Sequence, residues 1–206
     1  MAPRERGEDM DGSPHPAVRH RDLPGTPRPP HDFAHAVLRT SQFDALIAWY
    51  CEVLAARVAF RNERLCFLTY DDEHHRLGIV HIPGLPAQDQ PSLRLLHLAW
   101  SFPDLTSLLG TYARLKAKGI LPYRPINHGP TLSLYYHDPD GTAVELQVDT
   151  FPDKAAAAAF LQSAAFLANP IGVAIDPDAL LAAWRAGVPE EELLRRPDGP
   201  TMSPQG

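Results

Sequence analysis

Long apolar runs, an excess of basic residues and a cysteine framework are all missing from this 206-residue chain. No stretch approaches the roughly 20 apolar residues that span a bilayer, so no membrane partner is expected. The formal net charge of -6 leaves no basic stripe for a phosphate backbone, and nucleic acid is not an expected partner either. Two cysteines, Cys51 and Cys66, neither build a disulfide framework nor match a metal-site spacing; they read as buried thiols in a reducing cytoplasm. Residues 1–30 mix acids with bases and hold seven prolines where a signal peptide needs an apolar segment. That stretch reads as a disordered tail in a cytoplasmic protein.

What is present is the composition of a globular protein, 44% hydrophobic and 21% charged, with period-2 and period-3.6 patterns from Asp32 onward. "DFAHAVLRT" alternates as a strand, with Phe33, His35 and Val37 on one face. Ser41 is the expected N-cap of a helix in which Phe43, Leu46, Ile47, Tyr50, Val53 and Leu54 recur at helical spacing. "RVAFRN", "LCFLTYD" and "RLGIVHIPG" then give three more strands, completing a β-α-β-β-β unit.

Residues 93–150 repeat the order: strand "LRLLHLAWSF", a helix from "DLTSLL" closed by Gly119, strand "LPYRPINH" and the hairpin "LSLYYHDPDGTAVELQV". A shift of 62 residues lays His35 on His97, Phe43 on Leu105, Leu46 on Leu108, Ile47 on Leu109 and Tyr50 on Tyr112. Under the same shift Glu145 falls on Pro83, which puts it near the level of His81. The predicted fold class is α+β: two βαβββ modules, about 31–84 and 93–150, forming a cupped, β-barrel-like sheet with flanking helices. The domain over 31–150 is followed by a helical extension over 151–196 and a disordered end over 197–206. In that extension, "FPDKAAAAAFLQSAAFLAN" reads as one Ala-rich helix. "DPDALLAAWRAG" reads as another, with Asp176 at its N-cap, Pro177 at N1 and Gly187 after its end, and "PEEELL" as a third, short one. Their apolar stripes are expected to pack on the same chain, with a homodimer as the other arrangement considered.

Four polar groups interrupt the apolar strands. A lone histidine in "LLHLAW" is ordinarily a buried, hydrogen-bonded residue, but His35 and His97 at equivalent places of a repeat would both be aimed into one cavity. Glu145, between Val144 and Leu146, is costly to bury without a cation or several donors. Two imidazoles and a carboxylate make the ligand face that suits non-haem Fe(II), and zinc or manganese would accept the same donors. His15, His20 and His31 fall in the tail, His74 and His75 in a polar turn and His137 beside a turn, all expected to be exposed.

Ile126, His128, Leu134, Tyr135, Asp138, Pro139, Gly141 and Glu145 occur in the order of a known signature: a histidine ahead of an apolar-Tyr pair, a Pro-x-Gly turn, then a glutamate. In this the chain resembles the vicinal oxygen chelate superfamily and, within it, the type I extradiol ring-cleavage dioxygenases, in a form with a single pair of modules. The resemblance implies Fe(II), with Mn(II) as substitute, held by His35, His97 and Glu145. It implies His81 as the acid–base group, and His128 and Tyr135 as hydrogen-bonding partners of the substrate. It implies catechol and O2 as substrates and a muconic semialdehyde-type product, without selecting which catechol. Strand parity alone leaves Tyr135 and Tyr136 both open, since a bulge would exchange them; the resemblance selects Tyr135. Two other readings share the fold: a glyoxalase-type lyase or isomerase using nickel or zinc, and a drug-binding protein of the bleomycin-resistance type without metal.

Overall fold

The computed structural model describes residues 32–86 and 95–203. The described residues from Ala34 onward form one compact unit. The expected tail over 1–30, with His15 and His20, lies outside the described residues, as does His31.

The first module runs β1 (Ala36–Thr40), α1 (Phe43–Val53), β2 (Arg57–Arg61), β3 (Leu65–Thr69) and β4 (Leu77–His81). The second runs β5 (His97–Phe102), α2 (Leu105–Ala117), β6 (Arg124–Asn127), β7 (Thr131–His137) and β8 (Ala143–Asp149). In each, the first strand lies parallel to the last while the middle strands are antiparallel, because a helical crossover separates the first strand from the rest. The result is two open sheets, ordered β1-β4-β3-β2 and β5-β8-β7-β6-β9, rather than one barrel-like sheet. Ladder hydrogen bonds stop at β1 and β5, which are both edge strands.

Alternation along the strands decides which face each residue serves. In the second sheet Leu132, Leu134, Tyr136, Val144, Leu146 and Val148 point to one side and are buried with Leu105, Leu108, Leu109, Tyr112 and Leu115 of α2. In the first, Cys66, Leu68, Leu77 and Ile79 meet Phe43, Leu46, Ile47, Tyr50 and Val53 of α1. Each such large side chain contributes roughly 1.5–3 kcal/mol by leaving water. The two sets form one core, with α1 against α2. Glu52 on α1 takes ion pairs from Arg114 and Lys118. Glu52 and Arg114 are equivalent positions of the repeat, so their contact marks the pseudo-twofold axis between the modules. Tyr50 crosses the same boundary and donates its hydroxyl to Asp138 at 3.1 Å.

Local expectations meet four differences. Ser41 does not cap α1; the Thr40 hydroxyl accepts the Gln42 N–H at 2.7 Å one step earlier. The Ala-rich helix is cut into α3 (Lys154–Phe160) and α4 (Ala164–Ala168), because Ser163 caps a second start by accepting the Phe166 N–H. A short strand, β9 (Val173–Ala174), adds itself to β6. The end expected to fray stays bonded as far as Ser203, through Met202 to Gly172 and Arg124 to Ser203. α5 (Pro177–Arg185) starts on Asp176 and stops at Gly187 in the left-handed region as its sequence predicts, and α6 (Glu190–Leu194) follows. Among the described residues no helix is long and apolar enough to cross a membrane.

Candidate functional site

The side of the second sheet that faces away from α2 carries the polar groups. Across the ladder Arg124 lies opposite Tyr135, Tyr135 opposite Glu145, and Glu145 opposite Ala99, with His97 two residues before Ala99 on the same strand. All therefore project from one face. The β7–β8 ladder runs unbroken from Thr131↔Asp149 to His137↔Ala143, so no bulge intervenes: Tyr135 shares Glu145's face and Tyr136 goes to the core.

His97 Nε2 stands 3.0 Å from Glu145 Oε2. Glu145 is only 4% exposed, while a third of the His97 side chain remains open, so the pair sits at the floor of an accessible surface. The Tyr135 ring meets His97 edge-on, with centroids 5.4 Å apart, and its hydroxyl is 3.1 Å from His128 Nε2. Nδ1 of His128 is bonded to the carbonyl of Ile171. The Tyr135 phenol thus has two acceptors at hand, His128 and the Glu145 carboxylate. Burial, reinforced by the negative charge of Glu145, pushes that phenol well above its ordinary range, so it keeps its proton. Burial also lowers His128, against the opposing pull of the Ile171 carbonyl and Glu145, and favours the neutral ring.

The structure brings together four of the six residues predicted from sequence: His97, His128, Tyr135 and Glu145. His35 lies apart from them, exposed, with its ring 4.4 Å from that of His75. His75 is half-buried, stacked on Phe67 at 4.2 Å, rather than free in solvent as its polar turn suggests. His81 falls on the α1 side of its sheet with Leu77 and Ile79, stacked on Phe43 at 5.2 Å, with Nδ1 3.3 Å from the Glu63 carbonyl. His74 and His137 are exposed as expected, and His137 stacks on Tyr123 at 4.0 Å.

The ladder also corrects the alignment of the two modules. Val37 pairs with Gly78 as Ala99 pairs with Glu145, so the counterpart of Glu145 is Gly78 and not Pro83. Glu145 and His81 are not at one level.

As a metal centre, the donor chemistry fits in part. An imidazole nitrogen and a nearly dry carboxylate oxygen face each other, and such a carboxylate calls for a cation. Among the described residues no group of three His, Cys, Asp or Glu side chains converges on one point, so the pair supplies two donors. His35 is the repeat's equivalent of His97, two residues ahead of Val37. Sequence reading passed over Arg124, whose charge acts on both Tyr135 and His128. The signal was its alternation with Ile126 and His128 in "RPINH".

A family model described as the Glyoxalase/Bleomycin resistance protein/Dioxygenase superfamily matches residues 32–146. The chain is 43% identical over 173 residues to biphenyl-2,3-diol 1,2-dioxygenase 3 of Rhodococcus globerulus, covering 83% of this chain and 89% of that protein. It is 44% identical over 162 residues to biphenyl-2,3-diol 1,2-dioxygenase 2 of the same organism, covering 78% and 85%. Among solved structures, a glyoxalase/dioxygenase from Nostoc punctiforme is similar with a TM-score of 0.50 at 17% identity, covering 65% of this chain and 99% of that one, which is a likeness of fold.

Proposed function

The chain belongs to the glyoxalase/bleomycin resistance protein/dioxygenase superfamily, and on that premise we propose that it is an extradiol dioxygenase. It opens a catechol ring with O2 beside the two hydroxyls, giving a muconic semialdehyde-type product. The observation that carries this reading is the His97–Glu145 pair with Tyr135 and His128 beside it, on a chain that shares more than two fifths of its aligned residues with two biphenyl-2,3-diol dioxygenases.

His97, Glu145 and His35 are the proposed ligands of Fe(II), with Mn(II) as the substitute metal. When bound, the metal would supply Lewis acidity to the catechol and the redox centre through which O2 reacts. The residues of the chain do the rest. The buried Glu145 carboxyl is placed for the cation by its position in the ladder. Tyr135 keeps its proton, which it gives in a hydrogen bond to His128 Nε2, and so presents its oxygen as an acceptor to a catechol hydroxyl, not as a base. His128, neutral, offers Nε2 as the acceptor of the Tyr135 hydroxyl and so orients that hydroxyl. His81 is the proposed acid–base group; replacing it with Phe should keep iron and catechol binding and lose most turnover, and normal turnover would make it structural. Free Cys51 and Cys66 agree with a reducing cytoplasm.

The test is anaerobic loading with Fe(II), then air and a panel of catechols that includes biphenyl-2,3-diol, with oxygen uptake and the visible spectrum recorded. One O2 consumed per yellow product is expected. No uptake by protein that holds iron would overturn the reading in favour of a lyase, isomerase or binding protein on this fold.

A further inference from the structure

The segment beyond the second module makes a dense set of contacts at one place, the corner formed by Asn127, His128 and Gly129. β9 pairs with the free edge of β6, Ile126 with Ala174 and Asn127 with Val173. Just ahead of β9 the chain turns at Gly172, whose φ is +109°; a Cβ there would lie 2.4 Å from the Asn127 carbonyl oxygen and 2.7 Å from His128 Cα. Only glycine permits both that conformation and that approach. Asn169, itself buried, clamps the turn from inside: its Oδ1 accepts the Gly172 N–H at 2.7 Å and its Nδ2 donates to the Gly172 carbonyl at 3.2 Å. Arg196 ties the same pieces together, donating to the carbonyls of Asn169 at 3.0 Å and His128 at 3.4 Å. The outcome is that the Ile171 carbonyl is held against His128 Nδ1.

We propose that Asn169 and Gly172 are positioning residues that act through the Ile171 carbonyl to fix the proton of His128 on Nδ1, and so set the direction of the hydrogen bond between His128 and Tyr135. A carbonyl oxygen can only accept, so the ring nitrogen facing it carries the hydrogen. In the neutral ring the other nitrogen, Nε2, then presents a lone pair. It faces the Tyr135 hydroxyl at 3.1 Å, and the phenol donates to it. Without the carbonyl the ring is free to take the Nε2–H form, which donates to Tyr135 and turns the phenol proton toward Glu145. The strap therefore chooses which of two acceptors receives the Tyr135 proton. Its importance for turnover rests on the dioxygenase reading; the tautomer itself does not.

The test is made on the full chain without metal, labelled with 15N in its histidines, by long-range 1H–15N correlation, with His128 assigned from its loss in His128→Gln. The wild type should show Nδ1–H. Gly172→Ala and Asn169→Ala should shift His128 to the Nε2–H form or a mixture, while Asn169→Asp, which keeps the acceptor for the Gly172 N–H, should restore Nδ1–H. In the iron-loaded enzyme Asn169→Ala should lower kcat about tenfold with little change in KM for the catechol, the size usual for a group that orients an active-site residue. An Nε2–H wild type would overturn the inference. So would a folded Asn169→Ala protein that keeps both Nδ1–H and wild-type turnover. If Gly172→Ala does not fold, the Asn169 pair decides. A wild type that shows Nδ1–H but cleaves no catechol leaves the strap standing and removes the proposed function.

Discussion

Gly78 and Glu145 occupy the same place in their modules, as do Phe67 and Tyr135, Val37 and Ala99, and Phe60 and Arg124. The first sheet thus presents, on the face away from its helix, an apolar surface where the second presents an acid, a phenol and a guanidinium. Val37 is 54% and Phe60 47% exposed, whereas Glu145 is almost covered. The inner faces of the two sheets are alike, both aliphatic and both packed on a helix with a buried tyrosine at an equivalent position, Tyr50 or Tyr112. One scaffold has been kept for packing and one of its two outer faces given chemistry. Only the histidines that open the strands, His35 and His97, are common to both outer faces.

Exchanging residues between the sheets should give the largest effect. Glu145→Gly, which copies Gly78, should reduce turnover at least about a thousandfold, as expected when several kcal/mol of metal-based stabilisation is lost. The reverse change, Gly78→Glu, should confer no activity and should lower the unfolding free energy by several kcal/mol. Its side chain would start 3.3 Å from Val37 and 3.5 Å from Phe67, against apolar side chains. Denaturant unfolding and the catechol assay check the pair; a stable Gly78→Glu protein would break the contrast. Next in size, Tyr135→Phe should cost up to about a hundredfold in kcat, the upper end for a group that orients its active-site partners, while Phe67→Tyr should leave turnover unchanged.

A pH effect follows from His128. Its folded pKa is lowered by burial, so folding favours the neutral ring. That stability is fully present above the ordinary histidine value of 6.5 and is lost as pH falls through the lower folded value. His128→Gln should therefore flatten the acid side of a stability–pH curve; an unchanged slope would mean that the ring is already solvated. The smallest effect belongs to the other tyrosine. Tyr136 is fully buried and its hydroxyl has no partner among the described residues, so Tyr136→Phe should be neutral or stabilising by up to about 1 kcal/mol.

Much of this was legible in the sequence, because period-2 strands and a repeated helical stripe report burial directly. The 62-residue shift locates β5 and α2 on β1 and α1 correctly. It then fails, since the connection after α2, over 118–123, is longer than that after α1, over 54–56, and the strand registers beyond it also differ, so the offset is 67 between Gly78 and Glu145. From there the true correspondence is read from the ladder: Phe67 on Tyr135 and Gly78 on Glu145. A rigid shift cannot follow a loop insertion, and this is why His81 was set beside Glu145 when it stacks on Phe43 instead. The choice of Tyr135 over Tyr136 turned on whether the hairpin carries a bulge, which no local pattern announces; the ladder is unbroken and sets Tyr135 on the face of Glu145. The strap was hidden for a further reason: "NPIGVAI" has no length to signal a strand, and its contacts reach more than 40 residues back to His128.

The central proposal is that the polar face of the second sheet, joined by His35, would hold Fe(II). Anaerobic Fe(II) binding by the wild type, His35→Ala, His97→Ala and Glu145→Ala, each checked for folding by circular dichroism, tests it directly. The account predicts one tightly held iron per wild-type chain and none in any of the three variants. Stoichiometric iron retained by folded His35→Ala would contradict it, and would leave His97 and Glu145 with a ligand other than His35.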